Sequence, residues 1–173
     1  MLELALLRHA KSEPGRPDQR DFERPLNRRG EQAAERMGHH LRERGMAPGR
    51  ILCSPARRVR ETLARLGPGF SDNAEIAFCD DLFLAPPQTL LSQIAGVGAG
   101  VRSVLVIAHN PGLEQLALEL ADRGAGFPGA LDRLATGFVS AALAVFELDA
   151  ESYSDIGHET SRLVHFATPR SLG

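Results

Sequence analysis

Leu2-Glu3-Leu4-Ala5-Leu6-Leu7-Arg8-His9 is a short apolar run that ends abruptly in a cation and an imidazole. A run this short, bounded at once by polar, proline- and glycine-containing sequence, reads as a buried strand. Residues 11–27 (KSEPGRPDQRDFERPLN) follow as a long polar loop, and such a loop inside a compact domain is often functional. Asn27 then predicts an N-cap for a helix over about 28–44. Its Ala33, Met37 and Leu41 recur at i, i+4, i+8 and face the core, and Gly45 and Pro48-Gly49 end it.

Strand and helix signals keep alternating from there. Arg50–Cys53 reads as a short strand. Ser54-Pro55 then predicts an N-cap with proline at the first helical position, opening a helix with Val59, Leu63 and Leu66 inward and a stop at Gly67-Pro68-Gly69. Ile76–Phe78 is a weaker strand, Pro87–Ala95 a helix and Val101–Ala108 the clearest buried strand. Asn110-Pro111 opens a further helix to about Ala121. Beyond a loop around Phe127-Pro128-Gly129, Gly137–Leu148 and Arg162–Phe166 read as strands. This order predicts an α/β fold, a three-layer α/β/α sandwich with a mostly parallel sheet. An antiparallel edge strand is expected where the last two strands meet without an obvious helix between them.

The 173 residues suit one domain, 1–173, and 43% apolar with 24% charged residues is ordinary globular composition. Lys11 is the only lysine beside 19 arginines, which reads first as the mark of GC-rich coding sequence. A net charge of −2, one tyrosine and no tryptophan argue against nucleic-acid binding. Cys53 and Cys79 form neither a disulfide framework nor a zinc motif. No apolar run reaches the ~18 residues of a membrane span, and Met1–Leu7 is too short for a signal segment. The expected setting is a reducing cytoplasm, without membrane attachment. Gly96-Val-Gly-Ala-Gly100 precedes a strand, whereas a dinucleotide fingerprint must follow one.

In open α/β sheets, ligands bind beyond the carboxyl ends of the strands. Three such ends carry chemistry here: Arg8-His9, Ser54-Pro55 with Arg57, Arg58 and Arg60 after it, and His109-Asn110. A phosphoryl site needs an in-line nucleophile and cationic donors around three equatorial oxygens. A neutral His9 can supply the nitrogen nucleophile, Arg8 and one arginine of 57–60 the clamp, and a protonated His109 a further donor. The helix beginning at Pro111 could point free N–H groups at the anion. No metal or other cofactor is required. Singly, each residue has a plainer reading: a strand-end histidine is more often structural, and Arg57 and Arg60 read as surface charges. His39, His40, His158 and His165 are assigned to solvated faces. Together the residues make the plain reading a string of coincidences.

The motifs at these positions resemble the histidine phosphatase superfamily, of phosphoglycerate-mutase-like fold. Arg8-His-Ala-Lys-Ser12, Asp21-Phe-Glu-Arg-Pro-Leu-Asn-Arg-Arg-Gly30, Ser54-Pro-Ala-Arg-Arg-Val-Arg-Glu-Thr62 and His109-Asn-Pro-Gly112 are similar to its small SixA-type branch, as is Ala167-Thr-Pro-Arg170. The likeness spans essentially the whole chain, and the ordered set is far more specific than Arg-His-Ala alone. It implies His9 as nucleophile, Arg8 and Arg58 as phosphate clamps and His109 as the second pocket histidine, with Ser12 and Asn110 also at the substrate. It selects Arg58 because the family's second arginine lies four residues after the motif serine and four before the threonine. Val59 stands where many members have alanine.

Larger members place an acid after the third strand to protonate an alcohol leaving group. Asp80-Asp81 occupies roughly that stretch, but Leu82-Phe-Leu-Ala85 follows the short SixA-like pattern, and neither carboxylate is expected to reach the site. The expected partner is therefore a phosphohistidine-carrying signalling protein, whose imidazole leaves with little acid assistance. The rivals are a phosphatase acting on a small phosphate ester and a phosphate- or phosphoprotein-binding module without catalysis.

Overall fold

The computed structural model describes residues 1–121, 127 and 129–173, so the loop expected around Phe127-Pro128-Gly129 lies partly outside the described residues. Six strands form one sheet: β1 (Leu2–Arg8), β2 (Arg50–Cys53), β3 (Glu75–Phe78), β4 (Ser103–Ala108), β5 (Leu143–Leu148) and β6 (Ser161–Ala167). Their order is β3-β2-β4-β1-β5-β6. The first four run parallel, while β5 is antiparallel to both β1 and β6, which gives the expected antiparallel pairing at one edge.

Among the described residues the helices are α1 (Arg28–Glu43), α2 (Arg57–Arg65), α3 (Pro87–Ala95), α4 (Gly112–Leu120) and α5 (Ala130–Ala135). Alternate residues of β1 serve opposite layers. Leu4 and Leu6 join Val104 and Val106 under Leu90, Ile94, Leu113 and Leu116 of α3 and α4. Ala5 and Leu7 join Leu105 and Ile107 under Met37, Leu41, Val59 and Leu63 of α1 and α2. A strand covered on both faces must be apolar at every position, which is why Leu4–Leu7 shows no alternation with polar residues.

Asn27 caps α1 as expected, its side chain accepting from Gly30 N at 2.8 Å. Ser54 does not cap α2. That helix starts at Arg57 behind Ala56, with no side-chain cap, because the Ser54 backbone still pairs in the sheet (Ser54 N to Ile107 O, 3.1 Å). The stretch 137–142 is not strand. Gly137 (φ +124°) and Ala141 (φ +58°) adopt left-handed backbone that breaks pairing, and β5 begins at Leu143. The burial of Phe138, Ala141 and Ala142 gave this turn the composition of a strand. His40 and His165 are not solvated: α1 lies across β6, bringing their Nε2 atoms to 2.8 Å in a half-buried pair. His39 and His158 are exposed.

The α1–α2 crossing depends on a missing side chain. A Cβ at Gly38 would lie 2.0 Å from the Leu66 carbonyl oxygen, a backbone atom that cannot swing aside. Gly38→Ala is therefore expected to lower stability by about 2 kcal/mol, even though alanine favours helix by about 1 kcal/mol. Urea unfolding at 25 °C checks this; an unchanged or higher midpoint would show that the helices separate freely.

Candidate active site

The parallel register sets the site. Arg8 pairs with Ala108, while Leu7 and Cys53 both pair with Ile107, so β1, β2 and β4 end at one level. His9, Ser54 and His109 leave the sheet side by side. The first turn of α2 then carries Arg58 over these strand ends, only 1% exposed. Arg8, His9, Ser12, Arg58, His109 and Asn110 all line one cavity of about 400 Å³. The structure thus brings together all six residues that the sequence assigned to the site, and leaves Arg57 and Arg60 outside this cavity.

The His9 ring is oriented by its own backbone. Nδ1 lies 2.8 Å from the Ala10 carbonyl oxygen, which can only accept, so Nδ1 holds the hydrogen and Nε2 is left with a lone pair. Arg58 Nε donates to that Nε2 at 3.3 Å. Burial pushes the imidazole down to about 4; the Ala10 contact opposes this, and Arg58 and Arg8 reinforce it. At neutral pH His9 is uncharged, with a lone pair on Nε2. The Ala10 amide donates to Thr62 Oγ1 (2.9 Å), whose hydroxyl donates to the Arg58 carbonyl (2.6 Å), tying the exit of β1 to α2.

Arg58 sits between the two histidines, whose ring centroids are 5.2 Å apart. One terminal nitrogen donates to the Asp21 carbonyl at 2.7 Å. The other donates to Asp21 Oδ2 at 3.0 Å and to His109 Nδ1 at 3.2 Å. His109 is therefore an acceptor at Nδ1, and its Nε2–H goes to Ser54 Oγ at 2.6 Å. Burial pushes His109 down to about 3, with His9 and Arg58 adding to the effect. In this arrangement His109 is neutral and aims no N–H at the cavity. Ser54, read from sequence as a helix cap, instead holds this second histidine.

Arg8 and Asn110 share an anchor: the Phe138 carbonyl accepts from both, at 2.9 Å each. Asn110 also donates to Glu114 at 2.9 Å. Among the described residues Arg8 Nε and Asn110 Oδ1 are buried without partners. Ser12 accepts from Arg24 at 3.0 Å.

Lys11, Asp21, Arg24, Leu84 and Ser140 also line the cavity, and sequence reasoning gave them no part in it. Asp21 stood inside a quoted motif; its arginine-rich surroundings were the available signal. Burial works against its charge, but Arg58 and Arg24 prevail and hold the carboxyl below its usual range. Asp80 and Asp81 are exposed in a 3₁₀ turn and do not line the cavity; that stretch contributes Leu84, at φ +50°. Among the described residues no three His, Cys, Asp or Glu side chains gather to hold a metal ion. No described helix is long and apolar enough to cross a membrane.

The family model of the histidine phosphatase superfamily (branch 1) matches residues 4–82. An uncharacterized Mycobacterium tuberculosis protein is 34% identical over 165 residues, covering 95% of this chain and 100% of the relative. A candidate phosphohistidine phosphatase SixA of Nakamurella multipartitia superposes with a TM-score of 0.84 at 31% identity, covering 97% of this chain and 96% of that one. Its counterpart from Agrobacterium tumefaciens gives 0.79 at 31% identity, covering 97% and 98%.

Two buried histidines with lowered pKa values fix the sign of an acid response. Between about 6.5 and about 4 the unfolded chain binds protons that folded His9 and His109 refuse, so stability falls as pH drops through that window. From pH 7 to pH 4.5, His9 alone is expected to cost roughly 2 kcal/mol. Urea unfolding at both values checks it, with His9→Asn flattening the dependence. An equal pH dependence in that variant would mean that His9 titrates normally.

Proposed function

The chain belongs to the histidine phosphatase superfamily, in its SixA-type branch, and we propose that it removes phosphoryl groups from phosphohistidine proteins through a covalent intermediate on His9. The observation that carries this reading is the state of His9: neutral, its Nδ1–H held by Ala10 and its Nε2 lone pair turned toward Arg58. The nitrogen attacks phosphorus, the bond to the substrate imidazole breaks, and that imidazole leaves with the electron pair and takes up a proton from solvent. Water then attacks phospho-His9, releasing inorganic phosphate and restoring the ring.

Arg8 and Arg58 clamp the equatorial oxygens. Asn110 and Ser12 complete the rim. Burial, helped by the neighbouring cations, keeps His109 neutral in the empty site; a bound phosphoryl dianion opposes this and favours the protonated ring as a third cationic donor. Asp80 and Asp81 do not line the cavity, and their stretch contributes the apolar Leu84 instead, which favours an imidazole leaving group over a sugar or alcohol. Cys53 and Cys79 are free thiols, which fits a reducing cytoplasm.

Acid-quench trapping on a phosphohistidine-carrying domain is expected to yield phospho-His9, with His9→Ala giving neither intermediate nor turnover. A clean preparation without either would leave only phosphate binding. His109→Ala is expected to lower kcat/KM by roughly 10²–10³, the scale of losing one transition-state donor. Asp81→Asn should stay within about twofold, far below the ~10²-fold or greater contribution of a working acid. A larger loss in Asp81→Asn than in His109→Ala on phosphohistidine refutes the acid-independent mechanism.

A further inference from the structure

A second groove, of about 660 Å³, opens beside the phosphoryl cavity and shares Lys11 and Ser140 with it. It runs along the first half of α1, between that helix, the Val139-Ser140 segment and the C-terminal turn Pro169–Leu172. Lys11, Arg29, Arg36 and Arg170 line it, and no Asp or Glu side chain does. All four cations are exposed, and among the described residues none makes an ion pair or a side-chain hydrogen bond.

The charges on α1 are sorted by flank. Glu31 and Glu35 turn toward α2 and pair with Arg65 at 2.8 and 3.0 Å, while Arg29 and Arg36 line the groove with Ala33 between them. Arg29 lies in the first helical turn, where the positive end of the helix disfavours a cation, so its position carries an electrostatic cost. Arg29 and Arg36 are about 10 Å apart along the axis, a spread that suits several carboxylates better than one compact anion. Val139, 49% exposed, adds an apolar contact beside them. The chain as a whole is net negative, so the patch is not a sample of its general charge.

We infer that this groove docks acidic side chains flanking the phosphohistidine of a protein substrate, an inference that rests on the reading of the site given above. Docking places the phosphorylated residue over the cavity through the shared Lys11–Ser140 wall. The occupant is a carboxylate-bearing protein surface, held by charge and steered at low ionic strength.

Docking is measured apart from turnover, by fluorescence anisotropy with an unphosphorylated glutamate-rich peptide and a glutamine-substituted control. The wild-type chain is expected to bind the acidic peptide at least tenfold more tightly than the control. The Arg29→Gln/Arg36→Gln variant should lose most of that difference, and 0.5 M salt should erase it in the wild type. Turnover of 4-nitrophenyl phosphate should be unchanged in the variant, because neither arginine lines the phosphoryl cavity. Equal binding of the two peptides, equal binding by wild type and variant, or tighter binding of phosphatidylglycerol vesicles than of the peptide overturns the inference. Intact docking with no hydrolysis of phosphohistidine peptides overturns only the reading of the site, so the two failures are told apart.

Discussion

A guanidinium buried to 1% exposure cannot shed its proton, so the surroundings of Arg58 must receive its donors. Asp21 takes two of them, through its carbonyl and its carboxylate, and the two histidines take others. The polar loop before α1 is organised around this charge: Arg24 clips Asp21 to Ser12 and Glu13 and so draws the loop over the cavity. Burial keeps both imidazoles neutral, and this charge reinforces it. His9, His109, Arg58 and Asp21 are thus one electrostatic unit, and removing any of its members leaves a buried charge or lone pair uncompensated.

Much of this was legible in the sequence because it follows from backbone rules. Apolar runs bounded by turn residues located β1, β2 and β4, and alternation with helices implied that they are parallel and end at one rim. Motif spacing distinguished Arg58 from its neighbours. What escaped depended on contacts between distant segments. Ser54 looked like a cap because serine before proline so often is one, yet the sheet holds its backbone and His109 claims its hydroxyl. His40 and His165, 125 residues apart, meet only once α1 lies on β6. Phe138 to Ala142 had strand composition because Phe138, Ala141 and Ala142 are buried, and burial without pairing leaves no periodic trace. Asp21 was visible as a letter in a motif, but its partner became clear only with the α2 helix in place.

The strand order has a consequence for how such a chain comes into being. β1 and β2 carry His9 and the approach to Arg58, yet they do not touch: β4 lies between them, and its first residue pairs with one exactly a hundred positions earlier, Ser103 with Glu3. Once translation has passed residue 100, Arg8, His9 and Arg58 have therefore all been made with nothing to join their strands. Contacts of this span close slowly, since the loop between them must be ordered before any pairing repays it. The pocket is thus assembled late in synthesis, and the emerging chain holds an imidazole and two guanidinium groups that cannot yet converge on one cavity.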